Sequence, residues 1–267
     1  MIRARLPFLL AEFVLFGLKQ GWACLFGGLM LGAILISKLI WQADWPIHRY
    51  DALFAFAVLT QVLFLWFRLE TWEEARVIIL FHLTGTVMEW FKVAVGSWAY
   101  PEPGFLTVMG VPLFSGFMYA SVGSYMARVI RIFDMRFSPY PPFWMTLVLA
   151  SAIYINFFSH HFLPDIRWVL FAATMALFFR TRITFRIGQK PWWMPLPLAA
   201  FLSSLFLWIA ENIGTLTGTW LYSGQIPGQL VSFNKLGSWY LLLYVAFVTV
   251  TLVTRDALSP AQAKPHL

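Results

Sequence analysis

Apolar residues run through most of this chain in stretches of about twenty, separated by short intervals rich in proline, glycine and arginine. A hydrocarbon core of about 30 Å is crossed by roughly 20 helical residues. The stretches at 21–41, 50–69, 74–97, 112–133, 142–162, 166–180, 195–219 and 236–254 therefore predict eight spanning helices, the sixth being the shortest. Ahead of them, residues 1–20 have a basic end and an apolar middle, as a signal peptide does. Glu12 and Lys19 interrupt that pattern, and no small-residue cleavage site precedes the next apolar run. A retained interfacial or half-inserted helix is expected there.

Two of the apolar stretches contain a glutamate that opens the same short pattern. Residues 89–100 read EWFKVAVGSWAY and residues 211–222 read ENIGTLTGTWLY, so Glu89, Gly96, Ser97, Trp98 and Tyr100 map onto Glu211, Gly218, Thr219, Trp220 and Tyr222 at one offset. Pro103-Gly104 and Pro227-Gly228 follow the two copies, and Gly116 and Tyr119 match Gly237 and Tyr240. This predicts an all-α, polytopic membrane bundle of two parallel four-helix repeats. Its parts within one integral membrane domain are an interfacial helix (1–20), repeat one (21–140), repeat two (141–256) and a cytoplasmic tail (257–267).

Composition agrees with the bilayer and removes other classes. The 267 residues are 60% hydrophobic and only 12% charged, against about a quarter charged in soluble domains. The net charge of +7 is spread over loops rather than gathered on a face, which argues against nucleic-acid binding. It sorts by side instead. Arg3, Arg5 and Lys19, Arg68 and Arg76, Arg128 to Arg136, Arg180 to Lys190, and Arg255 and Lys264 fall on one side, leaving Arg49, Arg167 and Lys235 on the other. By the positive-inside rule both termini are cytoplasmic in a bacterial inner membrane. The single cysteine, Cys24, excludes an intramolecular disulfide. No nucleophile elbow, phosphate loop or dinucleotide fingerprint is present, so no cofactor is implied. Nothing in the sequence sets the oligomeric state.

The candidate chemistry centres on Glu89 and Glu211. A carboxylate inside the bilayer costs roughly 2.5–3.5 kcal/mol on insertion scales, so it normally faces a protein-lined interior. Both lie about two helical turns before a glycine that ends the span, roughly 10 Å below the outer interface. Lys92, three residues after Glu89, is expected to form an intrahelical ion pair with it. Asn212 adjoins Glu211, His82 lies two turns before Glu89, and Asn156, Ser159, His160 and His161 reach the same depth from the fifth span. A structural role, with each glutamate only tying helices together, is the alternative. His160 and His161 are weak metal candidates: the usual spacings are missing, and adjacent helical positions point about 100° apart. Trp98, Tyr100, Trp220 and Tyr222 are expected to line a substrate pocket, or else to belong to an aromatic belt. Trp192 and Trp193 read as plain interfacial anchors.

HLTGTVMEWFKVAVGSWAYPEPGF, GVPLFSGFMYASVGSY and AENIGTLTGTWLY together resemble a bacterial integral-membrane family, domain of unknown function 817, over nearly the whole chain. That resemblance implies no activity. A shorter likeness is to the membrane carotenoid hydratase and lycopene cyclase group. It is carried by Glu211-Asn-Ile-Gly214-x-x-x-Gly218 and Gly110-Val111-Pro112, and departs from the group at Phe91-Lys92. It implies acid catalysis on an isoprenoid double bond.

The expected function is an intramembrane enzyme for a lipophilic molecule, doing hydration, cyclisation or isomerisation. Glu211 would be the proton donor, kept protonated by its apolar pocket. Glu89, held charged by Lys92, would stabilise the cation or activate water. A proton-coupled transporter of a small solute is the second reading, and a non-catalytic assembly subunit the third.

Overall fold

The computed structural model describes residues 2–42, 44–226 and 228–258. Pro227, Lys264 and the rest of the 259–267 tail lie outside the described residues, as do the side chains of Arg3 and Arg5. Each expected apolar stretch is a helix: α2 (Leu25–Ile40), α3 (Arg49–Trp66), α4 (Trp72–Ala94), α5 (Phe114–Ile132), α6 (Phe143–Ser159), α7 (Arg167–Phe178), α8 (Leu196–Leu216) and α9 (Phe233–Val253). They are preceded by α1 (Ile2–Ala23) and followed by a 3-10 turn at Arg255–Leu258. The protein is an all-α bundle. Four of its helices, α3, α4, α8 and α9, are long and apolar enough to cross a membrane, and a fifth is added if the bent α1–α2 pair is one span. The 17 residues of α6 and 12 of α7 are shorter; 12 residues rise only about 18 Å.

Local chemistry sets the helix limits. Thr71 caps α4 with a reciprocal box: its hydroxyl accepts from Glu74 N at 3.2 Å, and the Glu74 carboxylate accepts from Thr71 N at 2.9 Å. A proline in its first turn starts α8. At their far ends α4 and α8 close the same way. Gly96 and Gly218 adopt φ of 70° and 65°. Ser97 N donates to Lys92 O at 2.8 Å and Thr219 N to Gly214 O at 3.0 Å. Both are left-handed helix stops that favour glycine.

Short strands mark the two ends. At one end β1 (Trp98–Ala99) pairs with β7 (Leu221–Tyr222), and β2 (Thr107–Val108) pairs with β3 (Val111–Pro112). At the other, β4 (Arg136–Ser138), β5 (Arg182–Arg186) and β6 (Pro191–Pro195) form a three-stranded antiparallel sheet. Helices α4 and α8 both run toward the β1–β7 ribbon, and α5 runs away from it. The interval from Arg180 to Lys190, between two expected spans, reads as a basic loop. Instead Ile183 and Phe185 point inward and Arg182, Thr184 and Arg186 outward, the period-two pattern of a half-buried strand.

The chain bends by 69° between Phe8–Ala23 and Leu25–Ile40. That bend lets α1 pack on the sheet end. Buried Glu12 accepts the Trp192 indole N–H at 3.1 Å, and Lys19 donates to Arg186 O at 3.2 Å. Trp192 is thus bonded to a carboxylate rather than serving as a plain anchor. Leu10, Phe13 and Leu18 stay exposed on the outer side of α1.

Candidate functional site

Glu89 and Glu211 are both buried, 2% and 6% exposed. In each motif copy the aromatic residues after the glycine fold back onto the glutamate. Trp98 donates its indole N–H to Glu89 Oε2 at 2.7 Å and Tyr100 its hydroxyl at 2.7 Å. Trp220 and Tyr222 donate to Glu211 Oε1 at 2.8 and 2.6 Å. The reversal at Gly96 or Gly218 is what aims both side chains back down the helix. Ribbon pairing sets Trp98 opposite Tyr222, their rings meeting edge-on with centroids 5.7 Å apart. The four aromatic residues therefore bind the carboxylates instead of forming a belt at the surface.

The copies differ in what completes each carboxylate. Glu89 Oε1 accepts a third bond, from Tyr119 of α5 at 2.6 Å. Glu211 Oε2 accepts none among the described residues, and the residue lines a cavity. Tyr240, matched to Tyr119 by sequence, stacks on Phe171 and contacts the Tyr244 hydroxyl at 3.3 Å instead. Glycine matters at one further point. Trp220 lies across Gly214, where a Cβ would overlap the indole ring; the corresponding position in the first copy is Lys92.

The cavity is about 960 Å³ and mostly walled by apolar side chains of α1, α2, α5, α6, α8 and α9. It reaches from Glu89, Glu211 and their five aromatic donors to Gln20 and Cys24 at the α1–α2 bend. Lys92, Asn156, His160 and His161 also line it. His82 and Asn212, both expected at the site, do not. His82 is covered by α5, its ring against Gly116 and 4.5 Å from Phe117. Asn212, one position and so about 100° beyond Glu211, faces the loop before α9, donating to Trp208 O at 2.7 Å and accepting from Val231 N at 2.8 Å.

The expected Glu89–Lys92 ion pair is absent. The Lys92 ammonium lies 2.8 Å from His161 Nε2 and 4.0 Å from the Phe157 ring centre, so α6 draws it away from its own helix. That contact occupies one of the two imidazole nitrogens of His161. His160 is held by Asn156 O at 2.9 Å, and Asn156 in turn binds Asp165 at 3.1 Å. Among the described residues no three His, Cys, Asp or Glu side chains come together as a metal site.

Tyr119, Trp239 and Lys235 also line the cavity and were not among the expected site residues. The recurrence of Tyr119 with Gly116 was the available signal for the first. Nothing local pointed to Trp239.

Residues 12–247 match the model of a protein family described as "Protein of unknown function (DUF817)". The chain belongs to the DUF817 family. An uncharacterized protein of Bacillus subtilis (strain 168), YoaT, is 43% identical over 240 residues, 90% of each chain. No solved structure matches. Within this family assignment the likeness to the carotenoid enzymes rests on motif residues alone.

Proposed function

We propose that this DUF817 protein is an intramembrane enzyme that does acid–base chemistry on a lipophilic substrate, with Glu211 as the proton donor. One observation carries the reading. Glu211 has one oxygen held by Trp220 and Tyr222, the other takes no hydrogen bond among the described residues, and the residue lines a large, mostly apolar cavity. An acid fixed by two donors at the wall of a mostly apolar cavity can transfer a proton without rearranging. The bonds from Trp98, Tyr100 and Tyr119 use up most of the acceptor capacity of Glu89. That suits a fixed negative charge that stabilises a cation better than it suits a base, and it replaces the role first given to Lys92.

In this scheme the Glu211 O–H bond breaks as a C–H bond forms on a substrate alkene. The resulting carbocation faces Glu89 and the aromatic rings. Water then adds and returns one proton to Glu211, or an adjacent carbon loses one, giving a hydrated or an isomerised product. The protein sits in the bacterial inner membrane with both termini cytoplasmic and α1 in the interface. The two motif copies belong to parallel four-helix repeats, within which α3, α4, α8 and α9 cross the membrane. The cavity's reach to the α1–α2 bend favours the second reading, a proton-coupled carrier.

Lipid profiles of cells expressing wild type or Glu211→Gln test the choice. An enzyme depletes one lipid and raises a second that is isobaric with it or heavier by one water, only in the wild type. Identical lipid profiles, with a solute accumulated by the wild type alone, overturn the enzyme in favour of the carrier.

A further inference from the structure

Two lysines line the cavity beside the glutamates, and neither is paired with a carboxylate within 4.0 Å among the described residues. Lys235, in the first turn of α9, lies 3.9 Å over the Tyr222 ring, while Lys92 rests on Phe157 and His161. Arg167, at the start of α7, lines the same end and is held by Asp165 at 2.6 Å. The three cations are within electrostatic reach of one another. Asp165 pairs with Arg167, and the two cavity glutamates are held by neutral donors, so neither lysine has an ion-pair partner at this end.

Like charges gathered in a partly buried wall repel, and each loses hydration. Carboxylates stand nearby, yet the fold satisfies Glu89 and Glu211 with neutral indole and phenol donors and leaves the ammonium groups to rings and an imidazole. Such an arrangement keeps cations available for a ligand's charge. From the cations the cavity runs between apolar walls of α2, α5 and α8, past Leu31, Ile34, Met118 and Leu207. A compact anion at one end and a hydrocarbon tail along the rest would satisfy both parts.

We infer that Lys92 and Lys235 bind the phosphate or carboxylate head of an anionic lipid whose tail fills the cavity. The inference rests on the proposed lipid site and names its substrate class. A single-chain lipid acid or an isoprenoid phosphate has the required shape; a neutral hydrocarbon lacks the head.

The test uses the full chain purified in a neutral maltoside detergent, with dodecyl phosphate, dodecanol and inorganic phosphate as probes, read by thermal shift and calorimetry. Dodecyl phosphate is expected to bind and raise the melting temperature, dodecanol and inorganic phosphate to do neither. Lys92→Met and Lys235→Met should each weaken dodecyl phosphate binding about tenfold or more, through the loss of a charge-assisted contact. Lys92→Arg and Lys235→Arg should restore most of it, which separates charge from folding. Equal binding of dodecanol, or dodecyl phosphate binding unchanged in the methionine variants, overturns the inference. Lysine-dependent binding of inorganic phosphate as tight as that of dodecyl phosphate also overturns it, because the ligand is then a soluble anion. Glu211→Gln is titrated in parallel. Unchanged lipid profiles between that variant and wild type, with lysine-dependent dodecyl phosphate binding intact, defeat the proton-donor reading and leave the headgroup site standing.

Discussion

Trp98 and Tyr222 face one another across the β1–β7 ribbon, and each holds a different glutamate, Trp98 binding Glu89 and Tyr222 binding Glu211. The ribbon thus joins the two motif copies through their carboxylates. Arg49 and Tyr50 of α3 anchor it from outside: Arg49 bonds Glu102 at 2.6 Å and Thr219 at 3.3 Å, and Tyr50 donates to Thr219 O at 2.8 Å. A change at either aromatic residue is therefore felt by both sites.

The two carboxylates should respond differently to amide substitution. Glu89 accepts three bonds on two oxygens, so Glu89→Gln sets an NH2 group against at least one donor. Leaving a buried donor unsatisfied costs about 1–3 kcal/mol. Glu211→Gln can keep Trp220 and Tyr222 on its carbonyl and turn the NH2 into the cavity, with little loss. Thermal unfolding in detergent checks this: a clear fall is expected for Glu89→Gln and near wild-type behaviour for Glu211→Gln.

Gly214→Ala should displace the Trp220 indole and free Glu211 of one donor, because the added Cβ would overlap the ring. Gly28→Ala, which meets nothing within 4 Å, is the matched control. Destabilisation of about 1–3 kcal/mol is expected for the first, the range for an overpacked site, and near-neutral behaviour for the second. The tryptophan emission of a variant reporting only Trp220 would shift with Gly214→Ala alone.

Another buried carboxylate lies away from the cavity. Glu70 pairs with Arg128 at 2.8 Å, both side chains fully buried, and Glu70 also accepts from Ser124 and Gln61. Arg128 further donates to Trp22 O, on the turn before the α1–α2 bend, at 3.2 Å. Arg128→Met should cost about 3–5 kcal/mol by stranding Glu70, whereas Arg128→Met with Glu70→Leu should recover much of that loss. A double-mutant cycle on melting or denaturant midpoints measures the difference.

The helices were legible because a twenty-residue apolar run has few other solutions, and each of the eight reappears within a few residues of its expected limits. The glutamates and their aromatic partners were legible because the same residues recur at one spacing. What failed was tertiary. An i, i+3 spacing on α4 suggested Lys92 for Glu89, but Phe157 of α6 and His161 just beyond its end take the lysine instead. His82 shares a helical face with Glu89, yet α5 closes over it at Gly116. The strand at Arg182–Arg186 was too short to stand out from a run of arginines. The match of Tyr119 to Tyr240 is silent about hydrogen bonds, since α5 and α9 present those residues to different neighbours.

The most direct measurement is the site of reaction with dicyclohexylcarbodiimide, an apolar reagent that attacks protonated carboxyl groups, mapped by mass spectrometry on protein in native membranes. The proton-donor account expects modification at Glu211, whose Oε2 takes no hydrogen bond among the described residues, little at Glu89, and protection of Glu211 by dodecyl phosphate. Equal modification of both glutamates, or of Glu89 alone, would contradict it.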